Sequence, residues 1–136
     1  AHLYFLRYAD VLLIYAEAAN ELGKTSEALD KLELVRARAR KSVAEGTDDS
    51  GILPRITETN KDLLREIIWH ERRVELALEG HRFFDLLRAD KVVSGYALRE
   101  LKADNPDTHF NASVNRVFLL PQKQIDISQG VLQQNP

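Results

Sequence analysis

The chain has 136 residues, enough for one compact domain with a modest core, and its net charge of −2 leaves no basic surplus for phosphate backbones. Hydrophobic residues at 44% and charged residues at 29% are the balance of a folded globular chain rather than a disordered one. With no cysteine there is no disulfide, thiol or zinc–thiolate chemistry, and no apolar run approaches the roughly 20 residues that cross a bilayer.

The start, Ala1-His2-Leu3-Tyr4-Phe5-Leu6, has neither the basic lead nor the cleavage site of a secretory signal. Its apolar residues run straight into a helical pattern with no capping residue, as expected of a segment cut from a longer protein. Residues 4–22 read as a first helix closed by Gly23, with apolar side chains around about two thirds of its circumference. Only Asp10, Glu17, Asn20 and Glu21 share a polar sector, so this helix is expected to be sandwiched between neighbours. A second helix is expected from Ser26 to Arg40, with Thr25 or Ser26 as N-cap and Ala28, Leu32, Val35 and Ala39 in one stripe. The short turn between them makes an antiparallel hairpin.

Gly46, Gly51 and Pro54 mark residues 41–59 as loop. A third helix is expected over 60–79, capped by Thr59 and ended by Gly80. Residues 82–89 read as a short helix and 96–103 as a helical or irregular piece. Asn105-Pro106-Asp107 reads as a turn, and 114–120 as a short strand stopped by Pro121. The expected fold class is mainly α with little or no sheet: a single domain over 1–136 whose residues 4–40 form a helical hairpin.

That hairpin has tetratricopeptide character. Leu12, Tyr15, Ala16 and Ala19, then Ala28 and Leu32, occupy the large and small positions of such a repeat, with Gly23 in the turn. One repeat cannot bury both of its faces, so further repeats are expected upstream of Ala1.

The charged segment His70–Leu86 invites two catalytic readings. His70-Glu71 would open a zinc-protease motif only with a second histidine four residues on, where Val74 stands. Glu71, Glu75 and Glu79 lie one turn apart, which suggests paired glycosidase carboxylates, but Arg72, Arg73 and Arg82 are interleaved with them. Those guanidinium groups favour ionised carboxylates, whereas a general acid needs a raised pKa. Neither a catalytic residue nor a metal ligand is assigned, and no cofactor is expected. On a helical wheel Leu63, Leu64, Val74 and Leu78 fall within about 60° of Ile67, and Glu71 falls inside that apolar stripe. A carboxylate there is costly unless paired, so it is expected to meet Arg7, Arg36 or Arg82. Trp69 and Leu76 occupy the opposite side.

The same segment, HERRVELALEGHRFFDLLR, resembles the helix-and-turn motif of SusD-like (SusD/RagB) proteins, HERR-x-E-L-A-F-E-G-x-R-x-x-D-L-R-R. The opening RYADVLLIYAEAANELG is similar to that family's R-Y-A-D-V-L-L-x-Y-A-E-A helix. The ending FLLPQKQIDISQGVLQQNP is similar to its P-x-P-Q-x-E-I-D-x-N-P-x-L-x-Q-N-P tail. Leu87, Ala89-Asp90, Trp69 and Ser128-Gln129 depart from the usual residues, which bears on local packing.

The resemblance implies the C-terminal portion of a helical, non-catalytic lid with tetratricopeptide units. Such a protein is tethered to the outer leaflet of the outer membrane by a lipidated N-terminal cysteine and seated on a SusC-like TonB-dependent transporter. It implies a glycan or other nutrient as ligand, and no nucleic acid. Family binding surfaces are shallow and aromatic but vary between members, so no binding residue is carried over by position. The chain's own candidates are Tyr96, His109 and Phe110, which lie in polar, loop-like surroundings where an aromatic face can meet a sugar. Trp69 is expected in packing or in a contact with the rest of the protein. Asn111-Ala112-Ser113 matches a glycosylation sequon that a bacterial setting leaves unused. Two other readings stay open: a free-standing helical interaction scaffold, and a glycan hydrolase that would depend on Glu71 or Glu75.

Overall fold

The computed structural model describes residues 6–41, 53–111 and 113–135, which form two compact units divided after Gly80. Among the described residues there are six helices and no strand, so the chain is mainly α.

The first unit holds α1 (Tyr8–Glu21), α2 (Thr25–Arg40) and α3 (Lys61–Glu75). The α1–α2 turn is a Schellman motif. Gly23 at φ +75° lets its own N–H reach the Asn20 carbonyl at 3.0 Å, while the Lys24 N–H reaches the Ala19 carbonyl at 2.8 Å. Ala9, Ala16, Ala19 and Ala28 bring the two helices close, and Leu12, Leu13, Leu32 and Val35 fill the interface. The tetratricopeptide-type hairpin is therefore present. Against it, α3 sets Leu64 and Ile68, with Ile56 and Ile67 packed at the margin.

Several local details differ from the sequence expectations. Neither Thr25 nor Ser26 caps α2: Lys24 is the N-cap and makes no side-chain capping bond. Asn60, not Thr59, caps α3, its Oδ1 accepting from Asp62 N–H at 3.0 Å and Leu63 N–H at 3.1 Å. The third helix also stops at Glu75 rather than Glu79. Its last stretch becomes a turn through Leu78 and Gly80, both at positive φ. The buried face of α3 is Leu64, Arg65, Ile68, Trp69, Glu71 and Arg72, while Leu63, Val74 and Leu78 are exposed. Apolarity alone does not select that face; three charged residues on it find partners across the unit. Likewise Asp10 and Asn20, expected on a polar surface of α1, are buried. Asn20 Nδ2 donates to the Lys61 carbonyl at 2.8 Å, tying the end of α1 to the start of α3.

The second unit holds α4 (Arg82–Val92), α5 (Tyr96–Asp104) and the six-residue α6 (Gln122–Ile127). Leu86, Ala89, Tyr96 and Ala97 are its buried apolar residues. Gly95 at φ +81° turns the chain between α4 and α5, and Asp90 Oδ1 accepts from the Ala97 N–H at 3.0 Å. Asn105-Pro106-Asp107 is the expected turn, with the Asn105 side chain accepting from Asp107 N–H at 3.2 Å. The expected strand over 114–120 is replaced by a turn over 113–116 followed by an extended piece. A lone strand needs a partner for its backbone groups. Here side-chain amides supply one: Gln134 Oε1 accepts from the Leu120 N–H at 2.7 Å, and Gln134 Nε2 donates to the Leu120 carbonyl at 3.0 Å. Asn135 Nδ2 donates to the Phe118 carbonyl at 2.7 Å.

Candidate functional site

The charged segment of α3 faces α1 and α2, and nearly every charge on it is paired. Glu71 meets Arg36 of α2, one of its three expected partners, at 2.5 Å, and both side chains are only 9% exposed. Arg36 also donates to the Pro54 carbonyl at 2.8 Å, while its buried Nε–H has no partner among the described residues. The neighbouring Arg72 reaches buried Asp10 of α1 at 2.6 Å. One turn on, Glu75 accepts from Arg7 at 2.9 Å and from Arg38 at 2.6 Å. Arg7 then grips Glu79 with two bonds, of 2.9 and 2.7 Å. The Glu79 and Glu75 carboxylates hold the Arg7 guanidinium charged, its pKa raised above the usual arginine value. Arg82, the third expected partner of Glu71, instead pairs with Glu100 in the second unit at 3.4 Å.

Two sequence motifs therefore form one object. The Arg7 and Asp10 of RYAD are the counter-charges of the Glu75 and Arg72 of HERRVE. A cleft of about 480 Å³ opens beside this network, lined by Arg7, Arg36, Arg38, Glu71, Glu75 and Glu79 among others. Three guanidinium groups and three carboxylates cancel, so the cleft offers no net charge to an ionic ligand. Glu71 and Glu75, the carboxylates that a hydrolase would use, are both held by arginines. The network locks three helices together, which is structural work.

Trp69 takes no part in an open surface. It is 5% exposed, and its indole N–H donates to Glu17 Oε1 at 2.9 Å. Among the described residues no group of three His, Asp or Glu side chains lies close enough to hold a metal ion. No helix there is long and apolar enough to cross a membrane.

In the second unit aromatic candidates converge on a groove. A groove of about 680 Å³ is lined by Phe83, Leu101, Thr108, His109, Phe110, Asn115, Val117, Phe118 and Leu119. Of the three loop aromatics singled out from the sequence, His109 and Phe110 line it. Tyr96 does not; it is buried at the start of α5, with the Arg99 guanidinium 4.8 Å from its ring centre. Phe83 and Phe118, which sequence reasoning passed over, stack nearly parallel with centroids 6.3 Å apart and planes 28° apart. Phe118 sits in the apolar run 117–120, which reads as a strand, so nothing in the pattern marks it as a surface ring. Asn111 Oδ1 accepts from both Ser113 N–H and Ser113 Oγ–H, so the sequon asparagine is engaged in its own turn.

Comparison with known proteins decides the family. The SusD family model matches residues 1–136, the whole chain. The chain belongs to the SusD family. SusD-like protein P2 of Formosa agariphila is 33% identical over 135 residues, 96% of this chain and 25% of that relative. SusD-like protein P38 of the same organism is 39% identical over 93 residues, 68% of this chain and 18% of that relative. SusD-like protein P25 is 38% identical over 86 residues, 60% of this chain and 14% of its own. The chain thus spans a quarter or less of the length of the curated relatives it matches. No solved structure matches it at a significant level.

Proposed function

We propose that this SusD-family chain is the C-terminal portion of a non-catalytic nutrient-binding protein that captures glycans at the outer face of the outer membrane and passes them to a SusC-like TonB-dependent transporter. Family membership over the whole chain carries this reading. The paired state of Glu71 and Glu75 supports a binding rather than a hydrolytic role, because neither carboxylate stands as a free acid–base group. The relatives' greater length supports further helical repeats elsewhere in the intact protein, as does an exposed apolar stripe of Tyr8, Val11, Ile14, Tyr15 and Leu22 along α1. The lipid anchor and the outer-membrane location belong to the same proposal.

The test uses the intact protein in its own cell. It should fractionate with the outer membrane, co-purify with a TonB-dependent transporter, and be retarded in native gels containing a polysaccharide that it does not degrade. Recovery from the cytosol with no transporter attached would sink the reading, and glycan turnover abolished by Glu71→Gln would replace it with a hydrolase.

A further inference from the structure

We propose that the groove of the second unit is a glycan subsite for a neutral saccharide, with an apolar sugar face laid on the Phe118 ring and hydroxyl groups meeting Asn115 and His109. This rests on the glycan-binding reading above and gives it a location and a ligand class.

Four observations converge on it. Phe118 is 88% exposed, so its ring meets solvent, and the Phe83 ring stacks beside it with centroids 6.3 Å apart. A flat, exposed aromatic face is what the C–H face of a sugar ring packs on, since burying that apolar patch requires no loss of polar solvation. The groove's polar members are neutral hydrogen-bonding groups. Asn115 Oδ1 is fixed by the Asn111 N–H at 2.6 Å, which orients the amide so that Nδ2–H₂ remains to donate. His109, with Thr108 beside it, adds donors and acceptors of the kind hydroxyl groups use. Among the described residues no Lys, Arg, Asp or Glu lines the groove, so none of them compensates the charge of a uronate or sulfate ester. Finally, about 680 Å³ is within the range of sites that take small organic ligands, and an apolar lining with a few placed polar groups is their usual make-up.

The experiment is native affinity electrophoresis of the intact protein in gels containing amylopectin, laminarin or galactomannan, with alginate and polygalacturonate as acidic counterparts. Retardation is expected in at least one neutral gel, and Phe118→Ala is expected to weaken it about tenfold, the loss of one central aromatic anchor. That variant should keep the parent's melting temperature; a lowered one would assign the ring to packing rather than to a ligand and overturn the proposal. Phe118→Trp keeps a platform and adds a reporter: its binding should persist, and its emission should differ from the parent's when an oligosaccharide of the retarding glycan is added. Unchanged retardation by Phe118→Ala would overturn the proposal while leaving glycan binding intact. Retardation in acidic gels alone would overturn the ligand class. Failure to be retarded in any gel would remove the glycan reading and this subsite with it.

Discussion

Replacing Glu71 by Gln keeps the shape of the side chain and removes the charge that Arg36 faces. Arg36 would keep the Pro54 carbonyl, at 2.8 Å, and face a neutral amide, and its Nε–H already has no acceptor among the described residues. Breaking one side of a buried pair costs about 3–5 kcal/mol, because the survivor is left charged and uncompensated in a low-dielectric site. The retained carbonyl contact and the amide oxygen of Gln place the expected loss at the low end, about 3 kcal/mol. With a urea m-value of about 1–3 kcal/mol/M, the unfolding midpoint should fall by about 1–3 M. The double variant Arg36→Met/Glu71→Leu removes both charges together. It should lie within about 1 kcal/mol of the parent, a remainder assigned to the Pro54 carbonyl left without its donor. The assay is urea unfolding followed by helical circular dichroism on the parent, Glu71→Gln, the singles Arg36→Met and Glu71→Leu, and their double. A shift below about 0.5 kcal/mol for Glu71→Gln, or single-variant losses that simply add in the double, would refute the claim that this pair is a coupled, desolvated unit.

Gly23→Ala should cost about 1–2 kcal/mol in the same assay, since a Cβ there meets no atom within 4 Å and the whole penalty lies in the left-handed φ of +75°. Asn60→Ala should lose about 1 kcal/mol with the N-cap of α3, and Asn60→Asp should retain most of it. Trp69 fluorescence should be blue-shifted and poorly quenched by acrylamide in the folded chain; a red, readily quenched emission would place the indole at a surface. Hydrogen bonding from Arg65 lowers the Glu21 pKa below its ordinary 4.5. The stability this pair contributes is therefore present above pH 4.5 and lost as pH falls through the lowered value. Glu21→Gln should flatten the acid limb of a stability–pH profile while leaving its neutral-to-alkaline part parallel to the parent's.

Helices, turns and family were legible in the chain by itself, because each is written locally. The 3.6-residue spacing of Leu12, Ala16 and Ala19, the alanines facing Ala28 and the glycine at position 23 specify a hairpin wherever the chain is placed. The placement of Glu71 in an apolar stripe was enough to require an arginine partner. Choosing Arg36 over Arg7 and Arg82 took the tertiary structure, because those three lie far apart in sequence and only the packing of α2 on α3 brings one within reach. The same packing buried Asp10, Asn20 and Arg72, which composition assigns to water, since each gains a partner across the helix interface. The end of α3 at Glu75, where Arg7 and Arg38 converge, rather than at the glycine that periodicity indicates, was likewise visible only in the structure. The groove lay furthest from view. Phe83 and Phe118 are separated by a helix and several turns, and an aromatic in an apolar run carries no local sign of the neighbour it will stack on.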